Sequence, residues 1–187
     1  AQKANDASLT HKRSVPVANP QKHYLINQNQ KRLWLLSLLD NSAAAYHLSW
    51  AFNLNLPNTF KVIEQTVLAL INKHQILRAG FKMLEGEPVL FIREELCQLP
   101  ISYESVNNLD VEQLRNTITE ESRRSFDLEN EPLFRFKLYM VSEGYWEVVF
   151  TIHHLIADGW TMELIAKDLS DLLQGKPLVA AKSEIQY

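Results

Sequence analysis

Two stretches of alternating apolar and polar residues, separated by a short polar segment, constrain the fold of this chain more than any other feature. Their apolar positions are Phe134, Phe136, Leu138 and Met140 in the first stretch, and Trp146, Val148, Phe150 and Ile152 in the second. A period of two is typical of a strand with one buried face, which puts Arg135 and Lys137 on the opposite face. The segment Ser142-Glu143-Gly144 predicts a tight turn, so the two stretches form a hairpin.

Two further patterns predict strands, and a third marks the start of a helix. Apolar residues alternate from Leu48 to Leu56, which indicates another strand with one buried face. The segments 79–83 and 89–92 flank Leu84-Glu85-Gly86-Glu87-Pro88 and predict a second hairpin with a glycine turn. Thr59 is the expected N-cap of the helix that follows the first strand.

Helical spacing of apolar residues recurs four times, in segments near 29–39, 60–74, 110–124 and 160–173. Asp110 and Gln113 predict a capping box at the start of the third helix. Gly175 and Pro177 end the fourth. The order helix, strand, helix, hairpin, helix, hairpin, helix favours an α+β domain with helices layered on a mixed sheet over a regular βαβ fold.

Composition excludes several classes of function. The net charge of −3 does not favour a nucleic-acid or membrane partner, and no apolar run approaches the roughly 20 residues of a membrane span. The single cysteine, Cys97, leaves no internal disulfide framework and no cysteine-based metal site. We therefore expect a cytoplasmic protein, with residues 1–20 as a polar linker or tail and one compact domain over 21–187.

The segment that bears chemistry follows the last predicted strand. His153 and His154 end this strand, and Asp158-Gly159 leads into the last helix. A histidine with a pKa near 6.5 can accept and return a proton near neutral pH. Asp158 could cap the helix, bind an arginine or orient an imidazole, and Gly159 allows a positive φ or a close backbone approach. A metal site is not expected, because adjacent histidines on a strand point to opposite faces and no third ligand is evident. From these residues alone, structural and catalytic roles both stay open.

The segment from His153 to Gly159 resembles the HHxxxDG signature of the nonribosomal peptide synthetase condensation family, which has a chloramphenicol-acetyltransferase-like fold. Its continuation through Trp160 is similar to the DGWS ending of peptide-bond-forming members. Three other segments resemble family motifs in the same order, namely 28–36 (SxAQxRLWxL), 73–81 (RHExLRTxF) and 126–133 (FDLxxGPL). The chain departs from these motifs at Asn27, Asn29, Lys73, Gln75, Ala79-Gly80 and Glu131.

The resemblance implies an acyltransferase that forms an amide between an upstream acyl or peptidyl thioester and a downstream aminoacyl thioester. Both substrates would be tethered to the 4′-phosphopantetheine of carrier proteins, with no cofactor bound directly. His154 would be the catalytic residue, as a general base or as a group that positions the amine. His153, Asp158 and Gly159 would be structural, Asp158 would pair with Arg78 or Lys73, and Trp160 is a candidate for the wall of the substrate tunnel.

Family members have two lobes around the active site, so the resemblance implies that this chain is an N-terminal lobe and that the C-terminal lobe is absent. Such a lobe would be inactive alone. Its expected partners are two peptidyl carrier proteins, the second lobe and an adenylation domain of the parent protein. Alternatives are a carrier-docking module with a vestigial motif, and a related acyltransferase or epimerisation domain of the same fold.

Overall fold

The structure is a computed structural model that describes residues 22–39, 43–106 and 109–178. The predicted tail at 1–20 lies outside these residues. The strands are β1 (Tyr24–Leu25), β2 (His47–Asn55), β3 (Ala79–Leu84), β4 (Glu87–Ile92), β5 (Ile101–Ser105), β6 (Phe134–Ser142) and β7 (Tyr145–His153). The α-helices are α1 (Gln28–Leu39), α2 (Thr59–Lys73), α3 (Val111–Arg123) and α4 (Gly159–Leu173).

The larger sheet contains the strand that ends at the candidate site. Its strand order is β2-β7-β6-β5, and β7 is antiparallel to both neighbours, whereas β5 is parallel to β6. The predicted hairpin is confirmed, with Gly144 at φ 76° in its turn. The register pairs His47 with His153 and continues residue by residue to Asn55 opposite Tyr145.

The smaller sheet, in the order β1-β4-β3, contains the second predicted hairpin. Its two turn residues, Glu85 and Gly86, have φ values of 51° and 85°. Two consecutive positive φ angles are typical of a type I′ turn, whose twist matches that of the paired strands. The short strands β1 and β5 were not predicted from the sequence.

One face of the larger sheet packs on α2 and α4 and forms the main core. The residues of this face that alternate in the sequence are buried, as predicted, and they meet apolar side chains of both helices. The fully buried side chains of this core include Ile63, Leu70, Leu77, Phe134, Phe136, Leu138, Phe150, Ile152 and Ile165. Confirmation of the period-two and helical patterns establishes the predicted α+β class.

The opposite face is covered only in part: Arg135, Tyr139, Val149 and Thr151 are buried, whereas Ser49, Ala51, Asn53 and Asn55 of β2 are exposed. The expectation of a polar outer face is therefore wrong at Arg135. α3 contacts the edge of this face, where Tyr139 and Val149 pack with Leu114 and Ile118. Arg135 is only 5% exposed. Its Nε lies 2.8 Å from Glu121 Oε1, so the carboxylate of Glu121, and not water, compensates the charge of the buried guanidinium.

Two predicted helix starts have different outcomes. The capping box of α3 is confirmed, because Asp110 Oδ1 accepts from Gln113 N and Gln113 Oε1 accepts from Asp110 N. The prediction that Thr59 caps α2 is wrong. The capping position is taken by Asn58 in a left-handed conformation, and the Thr59 hydroxyl donates to Leu56 O at 2.6 Å. No helix in the described ranges is long and apolar enough to cross a membrane.

Candidate active site

The motif His153–Gly159 forms the connection between the end of β7 and the start of α4. His153 N donates to Leu133 O at 2.8 Å, and His154 N donates to Tyr46 O at the same distance. Ile156 N then donates to His153 O, which closes a turn. The backbone of this turn is therefore held by the chain on both sides of β7, and His154 is placed by rigid structure.

His153 is a buried, neutral histidine. The residue is 2% exposed. Burial lowers the pKa of its imidazole to about 3, and the neighbouring His47 and His154 contribute to this shift. Nδ1 accepts from Leu155 N at 3.1 Å, so the ring proton is on Nε2, which lies 3.4 Å from Ser37 Oγ. A ring held uncharged in this way cannot exchange protons near neutral pH, which supports the structural role expected for His153.

His154 has a different environment. The residue is half-buried, and its imidazole forms no hydrogen bond with the chain as far as the structure describes it. The backbone of His154, in contrast, is fixed by Tyr46 O. Of the two motif histidines, His154 is the one whose surroundings permit proton transfer or hydrogen bonding to a reacting group.

Asp158 occupies the N-cap of α4. Its Oδ1 accepts from Thr161 N at 2.8 Å and from Thr161 Oγ1 at 2.7 Å. Helix capping, one of the three roles that the sequence left open, is therefore shown by the geometry. These bonds fix the start of α4 relative to the turn that contains His154.

The two basic residues expected near Asp158 have other partners. Lys73 Nζ lies 2.8 Å from the carboxylate of Asp168, which also accepts from His74 Nε2 at 2.7 Å. This buried group joins the end of α2 to the middle of α4. Arg78 Nη1 donates to Glu94 O at 2.5 Å. An ion pair between Asp158 and Arg78 stays a prediction.

The last two predicted site residues lie at the start of α4. Gly159 is exposed and is not among the residues with positive φ, so a positive φ, one of the two possibilities that the sequence left open, is not adopted. A Cβ atom there would meet no atom of the described residues within 4 Å, and the close backbone approach expected at Gly159 stays a prediction. Trp160 is 75% exposed, and its place in a substrate tunnel stays a prediction.

A cleft of about 570 Å³ lies beside the motif and was not predicted from the sequence. Its walls include Trp34, Ser37, His47, Phe81, Phe126 and His153. These residues come from α1, β2, β3, β7 and the loop before β6, which are far apart in the chain, so the sequence did not show that they meet. In the parts of the chain that the structure describes, no group of three His, Cys, Asp or Glu side chains is arranged to hold a metal ion.

The profile of the condensation-domain family matches residues 20–187, nearly the whole chain. The chain therefore belongs to the condensation-domain family. The fold class that the resemblance implied is also confirmed, because solved condensation domains are among the structures that superpose on this chain.

Among its relatives is bacitracin synthase 2 of Bacillus licheniformis, which is 32% identical over 168 residues. This match covers 89% of the chain and 6% of the synthase. A crystal structure of a four-domain nonribosomal peptide synthetase superposes with a TM-score of 0.77 at 19% identity, covering 94% of this chain and 13% of the other. The starter condensation domain of rhizomide synthetase superposes with a TM-score of 0.71 at 19% identity, covering 86% of this chain and 40% of that one.

Proposed function

We propose that this chain is the N-terminal lobe of a condensation domain in a nonribosomal peptide synthetase, and that the complete domain forms an amide bond between two carrier-bound substrates. The observation that supports this most directly is the contrast within the motif. His153 is buried and neutral, whereas His154 is half-buried with its imidazole available at the end of a rigid strand.

In the proposed reaction, the amine of the downstream aminoacyl thioester attacks the carbonyl carbon of the upstream acyl thioester. The new C–N bond forms as the C–S bond breaks, and the upstream pantetheine thiol is released. His154 accepts the proton that the amine loses and returns it to the departing thiolate, or it holds the amine in position by a hydrogen bond while the proton passes to the thiolate. Orienting two tethered reactants is worth roughly 7–11 kcal/mol, and proton transfer adds about 10²–10⁴-fold.

The partners follow from this reaction. They are an upstream and a downstream peptidyl carrier protein, the second lobe of the domain, and an adenylation domain that activates the acceptor amino acid. The substrates come attached to 4′-phosphopantetheine, and the lobe binds no cofactor of its own. We place the protein in the cytoplasm, where the exposed thiol of Cys97 stays reduced.

The share of the solved condensation domain that this chain covers, 40%, supports the assignment to one lobe of two. A site built between two lobes lacks half of its walls in either lobe alone. We therefore expect the chain to bind no pair of thioesters productively and to give no condensation product by itself.

A condensation assay with two loaded carrier proteins tests the proposal. In the complete domain, His154→Ala is expected to lower product formation at least 10²-fold while binding of both carriers is unchanged. His23→Ala, which changes a histidine outside the motif, is the matched control. Full activity of the His154 variant would favour the carrier-docking module instead, and turnover by the lobe alone would contradict the two-lobe site.

A further inference from the structure

The last residue pair of the β2–β7 ladder lies directly before the candidate catalytic residue. His47 and His153 are opposite each other in this pair, and their rings contact edge to face with centroids 5.6 Å apart. The next hydrogen bond along the chain joins His154 N to Tyr46 O at 2.8 Å. Two consecutive residues, Tyr46 just before β2 and His47 at its start, thus hold both histidines of the motif. His47 contacts the ring of His153, and Tyr46 O holds the backbone of His154.

His47 is also attached to α3. Its Nδ1 lies 3.0 Å from Ser122 O. Since a carbonyl oxygen only accepts hydrogen bonds, Nδ1 is the protonated nitrogen and donates. Burial is the main cause that lowers the pKa of His47. The hydrogen bond to Ser122 O raises this pKa, and the nearby charge of Arg135 lowers it. The net shift is downward, so the ring is neutral near pH 7. A neutral ring with one fixed tautomer has one fixed orientation.

Phe126 completes a triangle of rings below the motif turn. Its centroid lies 5.0 Å from that of His47 and 6.1 Å from that of His153, with both pairs edge to face. The Arg135 guanidinium covers Phe126 at 4.1 Å from the ring centroid. Side chains from β2 and the loop before β6 thus pack on the His153 ring, in addition to its contacts with Leu155 N and Ser37 Oγ. Within the triangle, His47 is hydrogen-bonded to a helix.

From these contacts we infer that His47 is a positioning residue for His154. The inference rests on the proposed function of His154. His47 does not act on substrate; it holds the ring of His153 and the start of β2, and these fix the backbone from which the His154 imidazole extends. A displacement of about 1 Å at a reacting group can lower the rate by about 10²-fold, so the support is expected to matter for turnover.

Amide hydrogen exchange tests the mechanical part without requiring activity. In this chain, His47→Ala is expected to speed exchange of the His154 amide at least tenfold more than that of the Val149 amide in the middle of β7. Ser49→Ala is the matched control, because Ser49 forms the next side-chain contact on the same face of the ladder, 3.2 Å from Thr151 Oγ1. It should leave the His154 amide unchanged. Equal acceleration at His154 and Val149 would overturn the inference.

Kinetics of the complete domain test the catalytic part. His47→Ala is expected to lower kcat at least tenfold while KM for each carrier-bound substrate changes less than twofold, because an interaction that only orients the reacting group affects the transition state. His47→Phe preserves the ring packing and should lose less activity, and it serves as the test if the alanine variant does not fold.

The two failures are distinguishable. If His154→Ala leaves kcat intact, the proposed function is wrong, whatever the exchange result. If His154→Ala abolishes turnover but His47→Ala has wild-type kcat, the role of His47 is wrong and the proposed function stands.

Discussion

Acid should destabilise this lobe through His153, since the folded protein holds this ring neutral. Its pKa is lowered to about 3 in the folded state, whereas an unfolded histidine titrates near about 6.5. Between these values the unfolded chain binds a proton that the folded chain does not. The contribution to stability is therefore fully present above pH 6.5 and is lost as the pH falls toward 3.

The size of the effect follows from the two pKa values. Each pH unit in this window corresponds to about 1.4 kcal/mol, so lowering the pH from 7.5 to 5.0 should reduce the free energy of unfolding by about 2 kcal/mol through His153 alone. Domains of this kind are stable by about 5–15 kcal/mol, so a loss of this size is readily measured.

Urea denaturation followed by tryptophan fluorescence, at pH 7.5 and 5.0, measures this loss. The comparison is with His153→Asn, whose Oδ1 can replace Nδ1 as the acceptor for Leu155 N but does not titrate. Any cavity or lost contact with Ser37 is the same at both pH values and cancels. The wild type should lose about 2 kcal/mol more than the variant. Parallel losses in the two proteins would refute the assignment of a buried neutral His153.

Three further substitutions test particular contacts by the same urea measurement at pH 7. Gly80→Ala should destabilise the lobe by about 1–3 kcal/mol, because the new Cβ would lie 2.5 Å from Phe91 Cζ and 2.8 Å from the Arg93 guanidinium and must displace both; an unchanged midpoint would show that these side chains rearrange without cost. Asp168→Asn should cost about 3 kcal/mol, since it leaves the ammonium of Lys73 without its buried carboxylate, and a loss below 1 kcal/mol would contradict this. Asp110→Ala should cost about 1 kcal/mol through loss of the capping box, with faster amide exchange confined to the first turn of α3 if the cap is the cause.

Local patterns in the sequence were sufficient for most of the fold. The hairpin of β6 and β7 and the capping box of α3 depend on residues close together in the chain, and both are confirmed. β5 was not predicted because Ile101–Ser105 has only one strong apolar residue and gains its order from parallel pairing with β6, some 35 residues away. Arg135 was expected on an open face, because alternation shows that the two faces of a strand differ in polarity. Alternation does not show whether another element covers the polar face.

The candidate site shows the same division between local and long-range information. The motif itself could be recognised from seven consecutive residues, and the N-cap role of Asp158 was among the expected possibilities. The environment of the motif could not be predicted from the sequence, because it depends on the register between β2 and β7. A shift of β2 by one residue would turn His47 to the other face and remove its ring from His153. Under the proposed function, the placement of His154 depends both on the motif and on a strand about a hundred residues earlier in the chain, so substitutions at the start of β2 should lower activity even though they lie outside the motif.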